Sequence, residues 1–208
     1  MGCDIHMYTE LKVNNPDNAE GFSWINCDKF MFDKYAQTER REELYCNHIY
    51  GWRNYTLFAI LAGVRAYSSK VSTISKPRGL PHNINFITKK EYDWWGGDAH
   101  SASWLTLREL INYFNKYEDK VIYKGMVSSQ DVENLKRGIL PRMSCQYTNA
   151  KDWVQAEWEG SNSGIATIIS ALKERLWDCH PELKYDWDRD KDPNPYFSDI
   201  RIVFWFDN

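Results

Sequence analysis

Cys3-Asp4-Ile5-His6-Met7-Tyr8-Thr9-Glu10-Leu11-Lys12-Val13 alternates residue by residue. On an extended chain Cys3, Ile5, Met7, Thr9 and Leu11 share one face, and Asp4, His6, Tyr8 and Glu10 share the other. Asn14-Asn15-Pro16-Asp17-Asn18 is turn chemistry. Phe22 to Asp28 then returns as a second strand, which predicts an N-terminal hairpin. The far end of the chain, Asp199 to Asn208 (DIRIVFWFDN), is another strand, with Ile200, Ile202, Phe204 and Phe206 on one face. A terminal strand this apolar is expected to be central or covered, because an exposed one would invite aggregation.

Helical patterns fill the space between. Arg53 to Ala66 places Leu57, Phe58, Leu61 and Val64 at helical spacing. Thr106 and Glu109 form a capping box at the head of a second helix, with Leu105 and Leu110 placed as its hydrophobic staple. The inward stripe of that helix is Leu107, Leu110, Ile111 and Phe114. A short helix is expected over 129–137, stopped by Gly138 before Pro141, and another over 163–178, facing Ile165, Ile168, Ile169, Leu172 and Leu176 inward. Residues 181–199 are acidic and Pro-containing and are expected to form a surface loop. The fold class is α+β: a small, mainly antiparallel sheet containing both terminal strands, packed with about four helices and long loops. Residues 1–208 are expected to form one domain.

Composition narrows the function. Aromatic residues make up 15% of the 208, including 10 Trp, which excludes a disordered chain. No apolar run approaches the roughly 18 residues of a membrane span. The N-terminus has no signal-peptide pattern, and His6 stands where a myristoylation motif at Gly2 wants Ser or Thr. Five Cys with no C-x-x-C fit neither a disulfide framework nor a zinc ribbon, so free thiols in a cytoplasmic setting are expected. A net charge of -3 argues against nucleic-acid binding by the chain as a whole.

Charge is unevenly spread. Residues 51–90 hold seven basic side chains (Arg53, Arg65, Lys70, Lys76, Arg78, Lys89 and Lys90) and no Asp or Glu. Arg78 lies in Lys76-Pro77-Arg78-Gly79-Leu80-Pro81, where two prolines stiffen the loop and Gly79 permits a turn. A rigid loop presenting one Arg suits bidentate capture of a phosphate or carboxylate. Trp52, Tyr55, Trp94, Trp95 and Trp104 lie in or beside this stretch, where aromatic faces can stack a base. The expected function is binding of an anionic, nucleotide-like small molecule without turnover. Arg53, Asn54, Tyr55, Arg65, Arg78, Gly79, Trp94, Trp95, Ser101 and Ser103 are the candidate ligand contacts. The bland alternative is a solvated basic face, or one paired with the acidic 181–199 loop.

A rival reading uses a repeated D-x-H frame. Asp4 and His6 share one strand face, and Asp98 and His100 repeat the spacing after Gly96-Gly97. Together they offer mixed O and N ligands for a divalent Zn, Mn, Fe or Ni, as in a metal-dependent phosphoesterase. Further blocks of the metallophosphoesterase pattern are absent, so structural bracing is the alternative role for these four. A serine hydrolase lacks the G-x-S-x-G elbow around Ser101 and Ser103. Cys3 lies on the strand face opposite His6.

The opening MGCDIH and the blocks RNYTLFAILAGVR, ISKPRGLP, DAHSASWLTLREL and RIVFWFDN resemble a family of bacteriophage and bacterial proteins that typically begin MGCDIH. The stretch from about 117 to 198 matches less clearly and is expected to be this chain's own elaboration. The resemblance carries no activity and no site residues with it. It implies a bacterial cytoplasmic setting, in which a phage protein of this kind would sequester a nucleotide signal of host defence. A protein–protein inhibitor of a host factor, working through exposed aromatics, is the third class. The chain is also compatible with a homo-oligomer.

Overall fold

The computed structural model describes residues 2–32, 44–67, 69–161, 163–183, 191 and 194–207. The chain forms two compact units. The first comprises Met1–Arg53, Pro77–Asn112 and Thr167–Asn208; the second comprises Asn54–Lys76 and Tyr113–Ala166.

In the first unit, strands β1 (Ile5–Asn14) and β2 (Phe22–Asn26) form the expected hairpin, with Leu11 opposite Ile25. Strand β9 (Ile200–Phe206) runs antiparallel to β1, and β6 (His100–Thr106) flanks its other side, so the order is β2-β1-β9-β6. The C-terminal strand is therefore interior, and all seven of its residues are buried. Its faces are covered differently. Ile200, Ile202, Phe204 and Phe206 share the dry face with Ile5, Met7 and Leu11. On the reverse, Trp205 stacks on Tyr8 at 5.2 Å, beneath Tyr92, Trp95 and Leu80. Burial on both sides is why β9 reads as a nearly unbroken apolar run.

Lys29–Phe32 and Leu44–Asn47 make a separate two-stranded ribbon, β3 and β4. Helix α2 (Phe86–Trp95) forms where the sequence shows no apolar helical stripe; its N-cap is Asn85, whose side chain accepts from the Ile87 N–H. It evades periodicity because only Thr88 is buried along it.

Helix α3 (Leu107–Tyr117) begins where its capping box predicts. The Thr106 N–H donates to Glu109 Oε2 at 2.9 Å, and the Glu109 N–H donates back to Thr106 Oγ1 at 3.3 Å. Thr106→Ala should cost about 1 kcal/mol, read as a lower urea midpoint at unchanged m. An unchanged midpoint would show the cap to be energetically idle.

Helix α5 (Ile165–Cys179) turns Ile165, Ile168, Leu172 and Leu176 into buried positions, while Ile169, also expected inward, is only half-buried. The 181–199 segment is not all surface loop. It forms 3-10 turns at Pro181–Leu183 and Pro195–Ser198, and Phe197 is fully buried with Arg108 and Lys173 over its ring. Its residues 184–190, 192 and 193 lie outside the described residues.

The second unit holds helix α1 (Tyr55–Ala62) and a sheet of order β5-β7-β8, with β5 Ser69–Lys70, β7 Val121–Ser128 and β8 Trp153–Gly160. Helix α4 (Ser129–Lys136) follows β7 and is capped by Ser128. The expected helix 53–66 is shorter at both ends. Asn54 captures the Leu57 N–H at its start, and Gly63, at φ 72°, closes it in a left-handed cap. Arg53 and Arg65 therefore lie outside any helix, and Arg65 itself has φ 55°.

Candidate functional site

Sheet register separates the two D-x-H frames. His6 stands opposite Trp205 in β9, whereas His100 stands opposite the next residue, Phe206. Neighbouring strand residues face opposite sides, so the two imidazoles project from opposite faces of the sheet. His6 Nε2 lies 3.2 Å from Asp207 Oδ2, and its ring packs 4.0 Å from Trp95. Burial pushes the His6 pKa down, against the upward pull of Asp207. His100 instead stacks on Phe206, with Nδ1 3.0 Å from Ser101 Oγ and Nε2 3.9 Å from the buried Cys3 Sγ. Asp98 is exposed in a 3-10 turn, Gly96–Asp98. Among the described residues no three His, Cys, Asp or Glu side chains converge as a metal would require. None of the five cysteines is in a disulfide.

The arginines are engaged internally. Arg53 donates through Nε and Nη2 to the two Asp4 oxygens at 2.8 and 2.7 Å. That fork holds the Asp4 carboxyl below its ordinary pKa. Arg78 does capture a carboxylate with its fork, but the carboxylate belongs to this chain: Nη1 and Nη2 reach Glu109 at 3.3 and 2.5 Å. Its guanidinium also lies 4.9 Å over Trp104. Burial raises the Glu109 pKa, but the Arg78 fork and the Thr106 donors outweigh it and leave it low. Neither partner comes from the acidic segment 181–199.

The other expected contacts are scattered. Gly79, at φ 77°, lays its N–H on the Ala102 carbonyl at 2.9 Å, and the Arg78 N–H donates to buried Ser103 Oγ at 3.3 Å. Ser101 sits at φ 53° where the β6–β9 register shifts. Trp94 is exposed and edge-on to Trp95. Asn54 serves as a helix cap and donates to the Ser163 carbonyl. Of the ten candidate ligand contacts, Tyr55 lines a recess in the second unit.

The basic and aromatic combination does occur in that unit, built from other residues. Lys70, Lys116 and Lys120 line a cleft of about 620 Å³ together with Tyr113, Tyr117 and Ile122, and the carboxylates Glu118 and Glu159 line it as well. The tyrosine rings stand 4.7 Å apart, one helical turn from each other, and Lys116 Nζ lies 5.1 Å from the Tyr117 ring. Hydrogen bonds from Ser72 and Lys116 hold the Tyr117 phenol below its ordinary pKa. Lys70 meets Glu157 at 2.6 Å and Lys120 meets Glu118 at 2.9 Å, all four side chains being about half exposed or more. The turn that brings Lys120 back beside the helix puts Glu118 and Asp119 at φ 50° and 56°. Asp119 anchors it by accepting from the Ser163 N–H at 3.0 Å and from the Ser163 hydroxyl.

Lys70 belongs to the basic stretch 51–90, whereas Tyr113, Lys116, Tyr117 and Lys120 lie outside it. The usable signal was Tyr113, Lys116, Tyr117 and Lys120 at three- and four-residue spacing across the end of α3. Compared with protein-family models, curated proteins and solved structures, the chain matches none. Among the described residues no helix is long and apolar enough to cross a membrane.

Proposed function

We propose that the second unit binds an anionic, nucleotide-like small molecule in the lysine–tyrosine cleft. The observation that carries this is a recess of about 620 Å³ lined by three lysines and a tyrosine pair, alongside Glu118 and Glu159. Ligand sites commonly measure roughly 300–1,000 Å³. Lysine is a mobile point charge suited to phosphate oxygens, and a tyrosine face suits a base. The ion pairs of Lys70 and Lys120 are exposed, so water and salt screen them. A polyphosphate can therefore exchange them at low cost. In the bacteriophage setting that the sequence resembles, tight binding without turnover would withdraw a host nucleotide signal.

Calorimetry against cyclic nucleotides and ADP-ribose-type compounds tests this, with the chain intact and as Lys116→Ala/Lys120→Ala. At least one compound should bind, more weakly as salt rises. Each lost lysine should weaken it by about tenfold. Absence of binding across the panel, or an unchanged affinity in the double variant, would overturn the reading.

A further inference from the structure

The same three-stranded sheet has an opposite face, and its residue choices are unusual for plain packing. Ile122 and Glu159 pair across β7 and β8 on the cleft side, so the next pair, Tyr123 and Trp158, faces away from it. Those two rings stack with centroids 6.0 Å apart at 21°. Gly160, paired with Val121, and Gly125, paired with Ala156, flank them on that face. Each is a glycine for a reason of space. A Cβ on Gly160 would stand 2.9 Å from Tyr123 Cε2, so its absence lets that ring lie flat over the neighbouring strand. The Tyr123 hydroxyl is then tethered to the Ser161 carbonyl at 3.2 Å. A Cβ on Gly125 would stand 3.0 Å from the Cys145 carbonyl. Its absence admits the 144–146 segment, which hydrogen-bonds to Met126 in both directions at 2.8 and 3.1 Å.

The result is a slot of about 310 Å³ with preset walls. Tyr123 and Trp158 form its floor. Tyr55 and Tyr67, in edge contact at 5.9 Å, add a second aromatic wall. Ser144 and Gln146 bring a hydroxyl and an amide to the lining. No carboxylate lines the slot and Lys124 does, which disfavours the cations that aromatic cages otherwise hold. The scarcity of hydroxyl-reading side chains disfavours a sugar. A flat ring with donors and acceptors on its edge matches both the aromatic faces and the two polar groups.

We infer that this slot is a second binding site, separate from the cleft, for an uncharged heteroaromatic ring of the nucleobase class. The test titrates the full chain with adenosine, guanosine, cytidine and uridine, using glucose and tetramethylammonium as comparison probes. At least one nucleoside should bind with little dependence on salt. Tyr67→Ala, at an exposed position, should weaken it by about tenfold, the loss of one stacking face. Gln146→Ala should change the preference among the four. Tyr117→Ala, which removes a ring of the cleft and none of the slot, should leave nucleoside binding unaltered, which separates this site from the cleft. The inference falls if no nucleoside binds, if Tyr67→Ala binds as tightly as the unaltered chain, or if only glucose or tetramethylammonium binds.

Discussion

Arg201→Met is expected to lower unfolding free energy by about 3–5 kcal/mol, the cost of breaking a buried ion pair. The side chains of Glu10 and Arg201 are 0% and 3% exposed. Arg201 donates through Nε and Nη2 to Glu10 Oε2 at 2.9 and 2.7 Å, and through Nη1 and Nη2 to the Asn83 side chain and carbonyl. Its guanidinium lies 3.9 Å over the Trp24 ring. Glu10 Oε1 also accepts the Asn85 N–H, so one pair ties β1, β9 and the loop leading into α2. Methionine would leave the Glu10 carboxylate out of water with its countercharge gone. Arg201→Lys would also be costly, since a point charge cannot reproduce the planar fork. Glu10→Leu/Arg201→Met should recover much of the loss, because no charge then stays buried. Urea unfolding of all three variants checks this. A loss below about 1 kcal/mol in Arg201→Met would show the pair to be hydrated in solution.

Phe204→Ala should cost about 3–5 kcal/mol, the usual price of emptying a large core site. Phe204 is fully buried mid-strand in β9, opposite Met7 on one side and Ser103 on the other. It meets Phe206 edge-on at 5.8 Å. A central strand held from both sides cannot shift to fill the space. Phe32→Ala should stay within about 0.5 kcal/mol, because that ring is 79% exposed on β3. Denaturation of the two variants side by side tests the contrast. Equal losses would mean that Phe32 is covered in solution.

Phe204 shows where a sequence pattern is enough. Phe204 alternates with Ile200, Ile202 and Phe206, so its burial is written in the period of its strand. The capping box at Thr106 and Glu109 is equally local, and it forms as spelled. Helix α2 escaped because it buries little along its length and leaves no apolar stripe to detect. Strands β7 and β8 were passed over for a related reason. One side of β8 is largely exposed and one side of β7 is only half-buried, and Gly125 and Gly160 dilute the alternation.

The candidate site was less legible than the fold. The acid-free stretch 51–90 suggested unneutralised arginines, yet Asp4 and Glu109, both from outside it, complete bidentate pairs with Arg53 and Arg78. The paired D-x-H motifs are alike in sequence and opposite in space, because a register difference of one residue in β9 turns His6 and His100 to different faces. Lys70 meets Lys116 and Lys120 only through the folding of the second unit.

By itself, the sequence determined the α+β class, the terminal strands, the interior place of β9 and the start of α3. Each of these rests on interactions between near neighbours or on one element's own period. Tertiary structure alone decided which charges neutralise one another, which glycines make room for a ring or a carbonyl, and which lysines share a cleft. Those outcomes depend on distances between residues far apart in the chain, and no local pattern encodes them.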